Sequence, residues 1–166
     1  ATLSAEDSDF YRHHGLDWKG ITRAFIKNVA SGDLEQGGST ITQQLVKNSI
    51  LTGERTFTRK LKEAALAVMI ESKYSKDEIL EWYLNQIPYG ANAYGVEAAA
   101  ETYFSKSSKY LTLAEAALLA ALPKAPTYYS PYGTHLDELL RRKDWILDRM
   151  VLEKSAAVQD AERAKK

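Results

Sequence analysis

Apolar residues recur three and four positions apart along most of the chain, and sustained alternation is hard to find, so the pattern predicts a mainly α protein. Ser4 with Asp7 reads as a capping box for a short first helix. Asp17 reads as the cap of a second, whose Ile21, Ala24, Phe25 and Val29 share a face before Gly32 stops it. Gly37-Gly38 predicts a turn into a helix that begins near Ser39 or Thr40 and runs to about Asn48. Ser49 to Phe57 holds Gly53 and mixed charges without periodicity, the mark of a loop free to move. Thr58 then opens a long helix expected to turn Leu61, Ala65, Val68 and Met69 inward, and Ser75 with Glu78 marks the next start.

Further on, Ile87-Pro88-Tyr89-Gly90 predicts a turn and Val96 to Phe104 a helix. Thr112 with Glu115 caps an alanine-rich helix that Pro123 ends. Pro123 to Gly133 carries three prolines and three tyrosines, which predicts a fixed, irregular surface loop and not a linker. No boundary is drawn there, and residues 1–166 read as one domain. The last helix carries Leu136, Leu139, Leu140, Lys143, Ile146, Leu147 and Met150; beyond Lys154 a polar, alanine-rich tail either continues it or frays.

Composition narrows the classes. A chain of 166 residues can bury one core without disulfides. Lysine plus arginine and aspartate plus glutamate each total 22, so no global field steers the chain toward nucleic acid and any anion site must be local. Cysteine is absent, which excludes disulfides, thiolate zinc sites and a cysteine nucleophile. The sequence has no run of about eighteen apolar residues and no leader-like start, so the chain as given reads as soluble or peripheral.

Four clusters could carry chemistry. Glu6-Asp7 with Phe10, His13 and Gly15 places carboxylates near an aromatic and a histidine, an arrangement open to base catalysis, although on these residues alone plain helix capping is the more usual reading. His13 and His14 are adjacent, so on a helix they would not share a metal. Gly37-Gly-Ser-Thr-Ile-Thr-Gln-Gln44 offers glycines, hydroxyls and a helix start that suit phosphate or sugar, or simply a turn and a cap; it lacks the lysine of a P-loop. Lys47, Arg55, Arg59, Lys60 and Lys62 make a basic stretch, in which Arg59 and Glu63 share a helix face; a solvated ion pair explains the same spacing. Glu78, Glu81, Trp82, Tyr83 and Asn85 read first as an amphipathic helix with aromatics in the core. Arg141 and Arg142 read as a solvated helix start, and Tyr128, Tyr129 and Tyr132 as surface packing or a sugar platform.

In their order these clusters closely resemble the family 51 glycosyltransferases, the polymerising domain of class A penicillin-binding proteins and of monofunctional peptidoglycan glycosyltransferases. Glu6-Asp-Ser-Asp-Phe-Tyr-Arg-His-His-Gly15 is similar to the first family motif, Gly37 to Gln44 to the second, and Arg59-Lys-Leu-Lys-Glu63 to the third. Lys76-Asp-Glu-Ile-Leu-Glu-Trp-Tyr-Leu-Asn85 is similar to the fourth, and Arg141-Arg142 with Ile146-Leu147 and Met150 to the fifth. The motifs span residues 4–152 and leave 153–166 as a tail.

The resemblance implies a lysozyme-like, mainly α lobe with a smaller, mobile, membrane-facing lobe. It implies lipid II and the growing glycan strand as substrates, joined by attack of an acceptor 4-hydroxyl on the donor anomeric carbon, with inversion and loss of polyprenyl pyrophosphate. Glu6 matches the general base and Glu63 the second, donor-side glutamate. Asp7, Phe10 and His13 fall on the orienting, acceptor side. Lys47, Arg55 and Arg59 match pyrophosphate contacts, and Ser39, Thr40, Gln43, Gln44 and Asn48 match the cleft. A divalent cation, Mg2+ or Mn2+, is expected, brought with the substrate because no carboxylate cluster is dedicated to it. Moenomycin, the family's phosphoglycolipid inhibitor, is expected in the same cleft.

The family's usual transmembrane helix before the first motif is missing, as is the transpeptidase domain that follows the last in bifunctional members. The expectation is therefore a piece of a longer protein, or a redesign of the domain, whose parent works at the outer face of the bacterial cytoplasmic membrane. The Ser49–Phe57 loop and the Ile21–Val29 helix are the candidate membrane contacts. Two other readings stay open, a lysozyme-type glycan hydrolase and a non-catalytic module that binds lipid II or glycan.

Overall fold

Helix dominates, as the spacing predicts. The computed structural model describes residues 1–18, 20, 22, 38–50 and 56–166. The chain divides into two compact units, here named for their places in the sequence: a central unit, Asp9–Tyr83, and a terminal unit, Ala1–Ser8 with Leu84–Lys166.

In the terminal unit, α1 spans Thr2–Glu6. Its expected capping box does not form: Ala1 is the N-cap, and Ser4 is a buried residue inside the helix. The backbone is already helical upstream of Ser4, since Ala5 N–H bonds the Ala1 carbonyl at 2.9 Å, and this leaves Ser4 no free amide to cap. In the central unit, α2 (Ile41–Ser49) begins at a Thr40 capping box, with Gln43 returning its side chain to the Thr40 N–H. The long helix α3 (Phe57–Glu71) starts slightly earlier than expected, with Thr56 as the cap.

The inward face of α3 is the main correction. Glu63 and Ala67 are its buried residues, whereas Leu61, Val68 and Met69 are exposed to 56%, 44% and 53%, and Phe57 to 80%. Ala65 is exposed too. Spacing finds an apolar stripe but not the side from which neighbours approach, and α3 packs against α2. The small side chain of Ala67 admits the backbone of Gly15, where a Cβ would lie 2.8 Å from Val68 N and where φ is +85°.

A second capping box at Ser75 starts α4 (Lys76–Gln86), with both the Ser75 N–H and its hydroxyl donating to Glu78 Oε2. The boundary between units falls within α4, after Tyr83. The expected turn at 87–90 is in fact half of a small hairpin, β1 (Pro88–Gly90) antiparallel to β2 (Ala93–Tyr94). Ala91 and Asn92 turn it with φ of 49° and 58°, the left-handed pair a tight two-residue connection requires.

Then follow α5 (Val96–Phe104) and α6 (Leu113–Ala121), the latter with the predicted Thr112/Glu115 box, and α7 (Leu136–Leu152). On α7, Leu139, Lys143, Ile146, Leu147 and Met150 are buried, while Leu136 and Leu140 are exposed. The tail neither continues α7 nor frays: Lys154 turns left-handed at φ 58°, and α8 (Val158–Lys165) packs back on α7 with Ala161 buried. The buried Lys143 ammonium fastens it, donating to the carbonyls of Ala164 and Lys165, each at 3.2 Å.

Of the expected second helix, Ile21 and residues 23–29 lie outside the described residues, as do its stop at Gly32, Gly37, and residues 51–55 of the expected loop with Gly53 and the candidate site residue Arg55. No helix among the described residues is long and apolar enough to cross a membrane.

Candidate functional site

Glu6 ends α1 in the terminal unit, and its side chain is 10% exposed. A carboxylate so placed needs a partner, and Arg142 of α7 supplies one, with its guanidinium nitrogen 3.0 Å from Glu6 Oε1. The same guanidinium donates through Nε to the Ala121 carbonyl at 3.1 Å. Tyr89 of β1 is almost fully buried, and its phenol is pushed well above its ordinary range, by burial first and by the negative charge of Glu6 second. Tyr89 is thus held as a neutral phenol. Asp7 is buried beside the end of α1, its N–H bonded to the Leu3 carbonyl at 2.8 Å.

In the central unit, α2 and α3 build a cleft of about 270 Å³ lined by Ser39, Lys47, Thr56, Arg59, Lys60 and Glu63. Glu63 is 2% exposed and sits between two cations, with Arg59 Nε at 3.3 Å and Lys60 Nζ at 2.9 Å. Lys60 also donates to Ser39 Oγ at 2.9 Å, tying the start of α2 to α3. Three cationic side chains thus line one small cleft with a single carboxylate, a composition suited to an anion carrying more than one charge.

The remaining expected residues are placed less directly. Thr40 and Gln43 are buried and committed to the α2 cap, and Thr40 Oγ1 also donates to the Gly15 carbonyl at 2.7 Å. Gln44 accepts from the Tyr83 hydroxyl at 3.0 Å, and Asn48 is exposed on the last turn of α2. None of these four lines the cleft.

Phe10 and His13 belong to the central unit, where they join a buried polar cluster around Glu71. The Glu71 side chain is 2% exposed; it pairs with Lys76 Nζ at 2.7 Å, and His13 Nδ1 lies 4.0 Å away. It also accepts from the Gly15 N–H at 2.5 Å and from the Thr42 hydroxyl. Lys76 Nζ stands 4.3 Å from the centroid of the Phe10 ring.

Sequence reading placed Lys60 in the basic stretch without assigning it to the cleft, and it missed Arg142 as the partner of Glu6, Thr56 as a cleft residue, and Glu71 altogether. Lys60 carried a signal, its three-residue spacing to Glu63. Arg142 lies 136 positions from Glu6, beyond any local pattern.

The described residues do not form a resident divalent-metal site. Among the described residues no three histidines or carboxylates gather. The cleft carboxylate, Glu63, already faces two cations, and their charge opposes that of a metal.

Comparison with known proteins adds an independent line. The family model described as Transglycosylase matches residues 1–151. Penicillin-binding protein 1A of Neisseria gonorrhoeae is 51% identical over 164 residues, which cover 99% of this chain and 20% of that protein. Penicillin-binding protein 1A of Aquifex aeolicus is 54% identical over 92% of the chain, and penicillin-binding protein 1F of Bacillus subtilis 49% over 90%. The chain spans about a fifth of the length of these relatives. Among solved structures, penicillin-binding protein 1A from Haemophilus influenzae superposes with a TM-score of 0.51 at 33% identity, covering 76% of this chain and 15% of that one.

Proposed function

Because this chain belongs to the transglycosylase family, we propose that it is a peptidoglycan glycosyltransferase, which polymerises lipid II into glycan strands. The observation that carries the reading is the cleft with Lys47, Arg59 and Lys60 around Glu63. Glycosyl transfer from a pyrophosphate donor leaves behind an anion, and cations fixed in a small cleft stabilise that charge as it develops.

In this reading the acceptor sugar's 4-hydroxyl oxygen attacks the donor anomeric carbon as the bond from that carbon to the pyrophosphate oxygen breaks, inverting the centre. The hydroxyl proton passes to Glu6, and the bonding electrons leave with polyprenyl pyrophosphate. Lys47, Arg59 and Lys60, with Arg55 from the same basic stretch, receive the pyrophosphate. Glu63 keeps Arg59 and Lys60 aligned on the donor side. Asp7, Phe10 and His13 serve the acceptor side, and Ser39 lines the donor cleft with Thr40, Gln43, Gln44 and Asn48 supporting it from α2. Any divalent cation, Mg2+ or Mn2+, enters with the pyrophosphate as part of the substrate.

The work is placed at the outer face of the bacterial cytoplasmic membrane, and the phosphoglycolipid moenomycin occupies the same cleft. A lysozyme-type hydrolase fits less well: a neutral sugar leaving group needs a proton donor and gains little from three cations. The deciding experiment incubates the chain and its Glu6→Gln variant with lipid II, detergent and magnesium. Polymer from the parent, and a loss of at least a thousandfold in Glu6→Gln with lipid II binding retained, is expected for a lost general base, on the order of the largest such effects. Shortened glycan would favour the hydrolase, binding without turnover the module, and polymer within about tenfold of the parent would remove Glu6 from its role.

A further inference from the structure

The two adjacent arginines of α7 have different environments. The Arg141 side chain is 70% exposed and pairs at the surface with Glu138, one turn back, at 3.4 Å. The Arg142 side chain is 11% exposed and held from several sides. Its Nε donates to the carbonyl of Ala121, the last residue of α6 and one of the orphan acceptors a helix end leaves. Its guanidinium carbon lies 5.7 Å from the Tyr129 ring centroid and 5.6 Å from that of Trp145. Its outer nitrogen meets Glu6 Oε1 at 3.0 Å. A surface ion pair needs no such mounting, whereas a carboxylate that must meet a hydroxyl within a narrow range of angles does.

We propose that Arg142 is the positioning residue of the Glu6 carboxylate, holding it at a set orientation between α1 and the end of α6. The inference rests on the reading of Glu6 as the base. Arg142 touches no substrate in it. The aromatic pair limits the guanidinium's freedom and the Ala121 carbonyl fixes its plane, so the carboxylate is ordered before substrate arrives. This gives the fifth motif's second arginine a task, and gives Tyr129 a different one from stacking on sugar.

The test compares Arg142→Gln, Arg142→Lys and Tyr129→Leu with the parent and with Glu6→Gln, measuring kcat, KM for lipid II and melting temperature. Loss of orientation predicts a kcat lower by about 10- to 100-fold in Arg142→Gln, with KM within about threefold. Arg142→Lys restores part of the rate by returning the charge, and Tyr129→Leu costs about threefold or more although the charge is untouched. A readout that needs no turnover is the carboxyl carbon resonance of Glu6, assigned by its absence in Glu6→Gln, which moves in Arg142→Gln at neutral pH. A folded Arg142→Gln with kcat within about threefold of the parent, or an unmoved resonance, overturns the proposal. If Arg142→Gln does not fold, parental rates in both Arg142→Lys and Tyr129→Leu overturn it instead. Failure of the underlying reading is separable: an active Glu6→Gln removes the base, whereas an inactive Glu6→Gln beside a fully active Arg142→Gln removes only the positioning role.

Discussion

Replacing Glu71 by Gln keeps the shape of a side chain that is 2% exposed but removes its charge. Lys76, whose Nζ sits 2.7 Å away and whose side chain is 18% exposed, is left without its counterion. Breaking a buried pair from one side costs about 3–5 kcal/mol. Partial access to solvent and the Phe10 ring offset roughly 1 kcal/mol of that, so the expected loss is about 3 kcal/mol. Glu71→Ala also orphans the Gly15 N–H and the Thr42 hydroxyl. At about 1–3 kcal/mol for each such group, the total becomes comparable with the whole stability of a domain of this kind. Urea unfolding reads the difference as a fall in midpoint of roughly 1–2 M for Glu71→Gln at unchanged slope. The double variant Glu71→Gln, Lys76→Met removes both charges, and should recover about 2 kcal/mol relative to the sum of the single changes. A Glu71→Gln loss below about 0.5 kcal/mol, the scale of an ordinary surface change, or strict additivity in the double variant, would refute the reading of Glu71 and Lys76 as a buried, coupled ion pair.

Three further outcomes are expected. Lys47→Ala and Arg59→Ala should each weaken capture of pyrophosphate-bearing ligands by about tenfold, as expected for one charge-assisted hydrogen bond, while binding of neutral glycan changes little; equal losses for both would count against the cleft as an anion site. Gly95→Ala places a Cβ 2.5 Å from the Asn85 carbonyl oxygen at a φ of +83°. The cost should be about 2 kcal/mol or more, seen as a melting point lower by about 4–8 °C, and an unchanged melting point would exclude strain there. The Tyr89 phenol has its ionisation raised above its usual 10.0, so above that pH the unfolded chain sheds a proton the folded chain keeps. Stability should therefore fall as pH rises past about 10, less steeply in Tyr89→Phe, as followed by alkaline unfolding; identical slopes would exclude the coupling.

Much of the fold could be read from local letters because its elements are locally signalled. The Thr40/Gln43, Ser75/Glu78 and Thr112/Glu115 boxes each lie within one turn, and each starts a helix where the pattern places it. What local letters do not carry is direction. On α3 the apolar stripe of Leu61, Val68 and Met69 faces outward, because packing against α2 and the Gly15 backbone selects the side of Glu63 and Ala67. A buried glutamate in the middle of a helix contradicts a reading by hydrophobicity, and only its cationic neighbours explain it. The 88–94 hairpin escaped for another reason: its turn pair is Ala91-Asn92, where the usual signal is a glycine. For the candidate site, Lys47, Arg59 and Glu63 were readable from spacing on neighbouring turns and do line one cleft. Arg142 and Glu71 were not, since each acts on residues brought near only by tertiary folding.

The charge around each glutamate argues for how the proposed labour divides. An anion cleft needs its cations held in place before the ligand arrives, and a carboxylate fixed between two of them can hold both. Glu63 is placed to do this, with Arg59 Nε at 3.3 Å and Lys60 Nζ at 2.9 Å. Its negative charge serves as the element that keeps two long, flexible cations aligned, leaving the cleft with enough excess positive charge for a pyrophosphate. Glu6 lies outside that group and meets Arg142 at 3.0 Å, and the same arginine bonds the Ala121 carbonyl at 3.1 Å. The carboxylate that lines the cleft organises its cations, and proton transfer is left to the other. Exchanging the roles would need Glu63→Gln to spare pyrophosphate capture while abolishing proton transfer, and Glu6→Gln to do the reverse. Measuring ligand binding and polymerisation on the two variants side by side therefore tests the division itself, and that crossed result would invert it.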